Sequence, residues 1–121
     1  MRYACLIYFD PQKVFNQSPE GEAVLRDTER FDAELRAGGH FVAGHALQLP
    51  NAAVTVRVRN GKMSATDGPF METREMLAGL IVVEARDLND AIRIAAGIPY
   101  ATLGSIEVRP LVDYSQPRPI L

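Results

Sequence analysis

Two short runs of the sequence are apolar on both of the faces that a β-strand presents, and they constrain the fold most. The first run is residues 3–9, Tyr-Ala-Cys-Leu-Ile-Tyr-Phe, and the second lies within residues 77–85, where positions 80–83 are Leu-Ile-Val-Val. Successive side chains of a strand point to opposite faces, so neither run leaves a polar face for water. Each run therefore predicts a central strand that must be covered on both sides.

Two segments have the spacing and end signals of amphipathic helices. The first begins at Ser18-Pro19-Glu20, a capping hydroxyl followed by proline at the first helical position, and ends at Gly38-Gly39. The second begins with Asp87 as its cap and ends at Gly97 and Pro99. Each helix has one apolar stripe and is predicted to cover one side of a sheet. The stripes are Val24, Thr28, Phe31 and Leu35, and then Leu88, Ala91, Ile92 and Ala95.

Two further strands and one hairpin complete the pattern. The strands are residues 40–48, whose odd-numbered positions from Phe41 to Leu47 share a face, and residues 104–111, whose Ile106 points inward. Residues 53–59 and 62–66 flank Asn60-Gly61, which is the strongest short signal for a two-residue hairpin loop. The pairs that this loop predicts are Val58 with Met63, Val56 with Ala65 and Arg57 with Ser64.

The order strand, helix, strand, hairpin, strand, helix, strand predicts an α+β fold. Without the hairpin it is the βαββαβ arrangement of ferredoxin-like proteins, and the 121 residues predict a single domain over residues 1–121. Two helices cover only one face of a four-stranded sheet, although its central strands are apolar on both faces. The sequence therefore predicts a homodimer in which a second copy covers the other face, as in a dimeric α/β barrel.

Composition excludes several classes of partner. There are 13 basic and 15 acidic residues, so there is no basic excess to attract a nucleic-acid backbone. No apolar segment reaches the roughly 20 residues that cross a bilayer, and residues 1–2 lead directly into a strand rather than into a signal peptide. The one cysteine, Cys5, alternates with core positions and fits a reducing cytoplasm. Two separated histidines and one strand cysteine make no metal-ligand set, and the glycines form no nucleotide-binding pattern, so no metal and no cofactor are predicted.

The densest group of turn residues and carboxylates is Asp67-Gly68-Pro69-Phe70-Met71-Glu72-Thr73-Arg74-Glu75, which we call the DGPF segment (residues 67–75). The Asp-Gly-Pro sequence predicts a turn with positive φ at Gly68, and Pro69 is able to begin a short helical turn. Asp67, Glu72 and Glu75 are candidate ligand-binding carboxylates. The alternative is that Asp67 closes the turn, while the two glutamates form a solvated face with Arg74.

His45 is the candidate general acid or base, because the reference pKa of histidine is close to neutrality. Glu72 is its predicted partner, since the turn after the hairpin can fold back over the sheet. The alternative is a histidine hydrogen-bonded at the edge of a core. Arg57, on the polar face of the hairpin, is a candidate for holding an anionic ligand, and its alternative is an ordinary cross-strand ion pair.

The DGPF segment resembles the DGPF signature of the YCII-related proteins, in which lysine usually replaces Arg74. Other stretches are similar to the same family: residues 3–8, 43–44, 47–48 and 55–57, Gly79, the helix start at 87–91, and residues 104–110. The resemblance implies a ferredoxin-like fold, dimeric association and a frequent link to extracytoplasmic-function sigma factors. In shorter relatives a histidine of the first helix and a nearby aspartate are a proposed catalytic pair. This chain has Arg30-Phe31-Asp32 in that helix and no histidine, so the pair does not transfer.

Two classes of function follow. One is a small-molecule-binding protein or small enzyme with a polar cleft near the DGPF turn. The other is a regulatory or interaction module associated with a sigma factor, in which the sheet and hairpin are contact surfaces. An enclosed pocket favours the first class, and an apolar patch left exposed after dimerisation favours the second.

Overall fold

The computed structural model describes residues 1–118 and residue 120. The predicted single domain, residues 1–121, also includes Pro119 and Leu121, which lie outside the described residues. The longer elements, in chain order, are β1 (Arg2–Phe9), α1 (Pro11–Val14), α2 (Pro19–Ala37), β2 (Phe41–Ala46), β3 (Val54–Arg59), β4 (Lys62–Asp67), β5 (Met76–Glu84), α3 (Leu88–Ala96) and β6 (Gly104–Pro110). Short 3₁₀ helices occur at Pro50–Ala52 and Pro99–Thr102.

The main sheet has four strands in the order β2-β5-β1-β6, and all neighbouring strands are antiparallel. The two central strands, β1 and β5, are the two runs that the sequence identified as apolar on both faces. This topology confirms the α+β class and is compatible with a ferredoxin-like fold.

The hydrophobic core lies between the helices and one face of this sheet. On that face β1 buries Tyr3, Cys5, Ile7 and Phe9, and the other core residues come from β5, α2 and α3. Burial raises the pKa of the Cys5 thiol to about 11. Because a thiol is reactive as its thiolate, Cys5 is a packing residue, in agreement with the interpretation from sequence.

The opposite face of the sheet, which we call the open face, is also apolar at its centre. Leu6 pairs with Leu80 and Ala4 pairs with Val82 across β1 and β5, and these four side chains are only partly buried. The two-sided apolar character predicted from the sequence is therefore present, and the helices cover one side of it.

The hairpin β3–β4 forms a separate two-stranded sheet, with the pairing that the sequence predicted. Asn60 and Gly61 have φ angles of 54° and 73°, the left-handed conformation that suits a two-residue hairpin loop. All of its large apolar side chains are exposed, from 56% at Val54 to 68% at Met63. The hairpin is therefore held mainly by its own backbone pairing.

After β1, Pro11 begins the short helix α1, and the Asp10 carboxylate caps the Gln12 amide at 2.9 Å. Two local predictions need correction. The predicted helical turn after Pro69 is absent, and residues 68–75 form irregular bends.

The second correction concerns β2, which ends at Ala46 instead of residue 48. Phe41 pairs with Val83 and Ala43 with Val82, so Val42 is an extra residue that bulges out of the register. Phe41 consequently lies on the helix side and His45 on the open face. The prediction that these two residues share a face is wrong.

Two glycines permit unusually close contact between neighbouring strands. A Cβ atom on Gly104 of β6 would lie 2.1 Å from the carbonyl oxygen of Tyr8 in β1. One on Gly79 of β5 would lie 2.6 Å from the carbonyl oxygen of His45 in β2. Both contacts are with backbone atoms, so a larger side chain would have to move a strand.

Candidate functional site

A cleft of about 1200 Å³ lies between one end of the open face and the DGPF segment. Its floor comes from the sheet, where Tyr8 of β1 pairs with Leu77 of β5 on one side and with Ser105 of β6 on the other. Because directly paired residues share a face, these three side chains line one row of the open face. Glu107, the next residue of β6 on that face, also lines the cleft.

The walls of the cleft are two irregular segments, residues 47–53 and 68–73. They meet at the base of the hairpin, where the Gly68 amide donates to the Ala53 carbonyl at 2.7 Å. The Thr55 hydroxyl also donates to the Gly68 carbonyl at 2.9 Å. Gly68 has a φ of 105°, as the turn chemistry predicted. The hairpin thus fixes the position of both walls.

The charged residues that line the cleft are all acidic. They are Glu72, Glu75 and Glu107, and no lysine or arginine of the described residues is among them. The Ser105 hydroxyl donates to the Glu75 carboxylate at 2.8 Å, and Glu107 forms an ion pair with Arg109. Glu72 is exposed and makes no ion pair within the described residues. The cleft therefore presents net negative charge beside its apolar surfaces.

The structure brings together two of the five predicted site residues, because Glu72 and Glu75 line the same cleft. Asp67 is exposed at the end of β4, beside the cleft but outside its lining. Arg57 is also outside the lining, but its guanidinium lies 5.5 Å from the ring centroid of Phe70, which is a cleft residue. In this structure Arg57 contacts a cleft residue without lining the cleft, and its role in holding an anionic ligand stays a prediction.

His45 does not line this cleft. It is exposed on β2, opposite Leu80 on the open face, and borders a different cavity. Across the sheet, Leu80 lies opposite Leu6, and Leu6 lies opposite Glu107, which lines the cleft. His45 and Glu107 are therefore three strand spacings apart, which is roughly 14 Å at the usual spacing. His45 and Glu72 line separate cavities, and their action as an acid–base pair stays a prediction.

The second cavity, of about 240 Å³, lies at the β2 edge of the sheet beside α2, and its lining combines helix-side residues with His45 and Leu80 of the open face. It contains Asp32, whose Oδ1 atom is buried and has no hydrogen-bond partner in the described part of the chain. Burial raises the pKa of this carboxyl group, and the nearby positive charge of Arg36 partly opposes that change. We call this the Asp32 cavity.

Sequence reasoning missed Asp32 as a site residue. The available signal was its position, because Asp32 lies between Phe31 and Leu35 and one turn after Thr28, on or beside the apolar stripe of α2. A carboxylate at such a position needs a partner, and the sequence offers none at helical spacing except Arg36.

Asp90, at the start of α3, is a buried carboxylate with a structural role. It accepts hydrogen bonds from the Arg86 amide at 3.0 Å and from the Arg93 guanidinium at 2.7 Å. These donors lower its pKa below the usual range for aspartate. A carboxylate that is fully engaged in this way anchors the helix start and is not available to a ligand.

Residues 1–118 contain no group of three or more histidine, cysteine, aspartate or glutamate side chains placed to hold a metal ion. Within the same residues, no helix combines the length and apolarity that crossing a membrane requires.

The fold and the cleft define a small α+β protein whose irregular DGPF segment covers one end of an antiparallel sheet. The family model of the YCII-related domain matches residues 1–115. An uncharacterized protein of Rhizobium meliloti (strain 1021) is 34% identical over 117 residues, which cover 94% of this chain and 94% of that protein. The chain belongs to the YCII-related family, which confirms the resemblance carried by the DGPF segment.

Proposed function

We propose that the protein binds a small amphipathic cation, an apolar body with a protonated amine, in the cleft beneath the DGPF segment. The observation that carries this proposal is the cleft lining, in which apolar walls surround three glutamates and no basic residue of the described chain. The proposal is for binding, and it assigns no reaction.

The apolar walls suit the body of such a ligand. They include Leu47, Leu49, Phe70 and Met71, which are 43% to 73% exposed when the cleft is empty. Burying this surface against a ligand contributes roughly 25 cal/mol per Å². The volume lies slightly above the usual range of roughly 300–1,000 Å³ for small-molecule sites.

The carboxylates suit an amine. Glu75 is positioned by Ser105 and keeps acceptor capacity, because a carboxylate accepts several hydrogen bonds and Ser105 uses one. Glu72 lies in the wall formed by residues 68–73, whereas Glu75 is bonded to Ser105 of the sheet, so the two groups come from the loop side and the sheet side. The ring of Tyr8 adds a surface that attracts a cation.

A two-fold homodimer through the open face is part of this proposal. The apolar centre of that face and the cleft floor are continuous, because Tyr8 and Leu77 belong to the same strands as Leu6 and Leu80. A second copy on the open face would cover the apolar centre and narrow the cleft. Sedimentation equilibrium is expected to give a dimer, and a well-folded monomer at micromolar concentration would contradict the dimer but not the cleft.

The binding proposal is tested by isothermal titration calorimetry with three probes of similar size. 2-Phenylethylamine is expected to bind more tightly than 2-phenylethanol, which lacks the charge, and 3-phenylpropanoate is expected not to bind. The double variant Glu72→Gln, Glu75→Gln keeps the shape of the cleft and removes two charges. It should lose the preference for the amine.

The matched control is Glu29→Gln, on the exposed side of α2 and outside the cleft lining, which should leave all three affinities unchanged. Higher salt should weaken binding of the amine, since the attraction is between charges at an open cleft. Equal affinity for the amine and the alcohol in the unmodified protein would overturn the cation proposal.

The alternative class of function, an interaction module, rests on a different surface. Val54, Val56, Val58 and Met63 on the hairpin are all more than half exposed. Such a row on an otherwise separate two-stranded sheet is suitable for contact with another protein. Substituting Val56 and Met63 by threonine should abolish partner binding in this alternative and leave amine binding in the cleft intact.

A further inference from the structure

The Asp32 cavity differs from the cleft in both its walls and its charge. Its walls contain five aromatic residues, from the helix side of the core and the edge beside α1. Two pairs of these rings are packed against each other: Phe9 is stacked on Tyr100 at 4.9 Å between centroids and meets Phe15 edge-on at 5.7 Å. The aromatic residues are Phe9, Phe15, Phe31, Phe41 and Tyr100.

Asp32 supplies the buried polar atom of this cavity that lacks a hydrogen-bond partner within the described residues, its Oδ1. The hydroxyl of Thr28, one turn earlier, donates a hydrogen bond to the Val24 carbonyl at 2.8 Å and therefore does not donate to Asp32. The Arg36 guanidinium lies 3.8 Å from the ring centroid of Phe41. No ion pair joins Arg36 to Asp32 within the described residues. A buried carboxylate oxygen without a donor is costly, and a ligand with a donor group removes that cost.

The charge of the cavity decides which donor fits. Arg36 is close enough to oppose the effect of burial on the pKa of Asp32, so the negative charge is already partly offset. An added ammonium group would be repelled by Arg36, whereas an uncharged N–H or O–H group adds no charge. A neutral donor is therefore favoured here, in contrast to the acidic cleft.

We propose that the Asp32 cavity is a second binding site, for a small uncharged aromatic molecule whose one N–H or O–H group donates a hydrogen bond to Asp32. Its volume of about 240 Å³ exceeds the roughly 150 Å³ of an engineered cavity that takes benzene. One or two fused rings can occupy this space. The aromatic walls offer edge-to-face and stacked contacts to such a ligand.

The test compares indole with benzofuran, which has the same shape but an oxygen in place of the N–H group. Each compound is titrated into the ¹⁵N-labelled protein and followed by NMR. Indole is expected to bind about tenfold more tightly, since a hydrogen bond to a charged acceptor is worth that factor or more. The shifted amides should include those of Asp32 and Gly44, which belong to this cavity.

Asp32→Leu removes the acceptor and keeps an apolar side chain of similar size. This variant should bind the two compounds equally, and its melting temperature should not fall, because it no longer buries an unpaired carboxylate. If Asp32→Leu does not fold, Asp32→Asn serves the same purpose: it keeps an acceptor oxygen without charge, and the preference for indole should decrease severalfold. Glu29→Gln, on an exposed turn of the same helix, should behave as the unmodified protein.

Three results would overturn the proposal: no binding of either compound, equal affinity of the unmodified protein for both, or a preference for indole that survives in Asp32→Leu. Shifts confined to residues 68–73 would also overturn it, because they would place the compounds in the cleft. None of these results bears on amine binding in the cleft, since the two sites share no carboxylate and have only Leu47 in common among their lining residues.

Discussion

Valines in two regions of this protein experience opposite environments. Val83 lies in β5 of the main sheet and is 0% exposed, whereas Val56 lies in β3 of the hairpin and is 61% exposed. Both belong to antiparallel pairs, in which Val83 lies opposite Tyr3 and Val56 lies opposite Ala65. The main sheet is stabilised chiefly by burial against the helices, and the hairpin by its turn and its backbone hydrogen bonds.

The difference indicates a division of roles. The main sheet and its helices determine whether the chain folds, because they contain the core. The hairpin adds little buried surface, yet its base joins the two walls of the cleft through Gly68, Ala53 and Thr55. We therefore expect substitutions in the sheet to change stability, and substitutions in the hairpin to change the cleft.

The largest expected effect comes from Val83→Ala. Removing two buried methyl groups loses their transfer free energy and leaves a cavity, so the free energy of unfolding should fall by roughly 2–4 kcal/mol. The matched substitution Val56→Ala in the hairpin should change it by less than about 0.5 kcal/mol. Urea denaturation of both variants measures the contrast, and similar losses at the two positions would show that the hairpin is buried in solution.

Gly68→Val tests the junction between the two regions. No atom lies within 4 Å of a Cβ at this position, so space is available, but the φ of 105° strains a β-branched residue. The free energy of unfolding should fall by roughly 1–3 kcal/mol. Gly68→Asn should cost less, because asparagine tolerates positive φ better. An unchanged melting temperature for the valine variant would show that the turn does not require this backbone angle.

Asp90, in α3, makes a pH-dependent contribution to the stability of the main sheet and its helices, and the hairpin has no part in it. Its pKa is lowered in the folded protein, so its stabilisation is present above the unfolded value of about 3.9 and is lost as the pH falls through the lower folded value. Asp90→Asn should reduce the melting temperature at pH 7, and the difference from the unmodified protein should shrink below about pH 4. Asp27→Asn, in a more exposed pair with Arg30, should change the melting temperature at pH 7 much less.

The smallest expected effect is that of Arg57→Gln in the hairpin. The Arg57–Phe70 contact is exposed, and its loss should cost at most about 0.5–1 kcal/mol of stability. Phe70 should nevertheless become more mobile, which NMR relaxation of its side chain can detect. Arg59→Gln, two residues along the same strand, makes no contact with Phe70 and is the control. A large stability loss for Arg57→Gln alone would contradict the division of roles.

Most of the fold was predictable because its signals are local. Asn60-Gly61 specified the hairpin and its pairs, and Ser18 and Asp87 both cap helices as expected. The bulge at Val42 was not predictable, since it depends on the register between β2 and β5, and register is a property of two strands that are far apart in sequence.

The site was predictable in part for the same reason. Glu72 and Glu75 are neighbours in sequence and therefore meet in one cleft. The placement of His45 depends on the bulge before it, and that bulge places the histidine on the open face. The burial of Asp32 depends on residues from four other elements, so no pattern within α2 alone could reveal it.

The close strand contacts at Gly104 and Gly79 also limit how the cleft can diversify. Any side chain at Gly104 would separate β6 from β1 beside the cleft floor, and one at Gly79 would separate β5 from β2. The shape of the floor is therefore nearly invariant, whereas the two wall segments are free of such contacts between strands, and only Gly68 among them is held by its backbone angle. New ligand specificity in this scaffold, whether evolved or engineered, should arise in those two segments, and mutant libraries are best directed there.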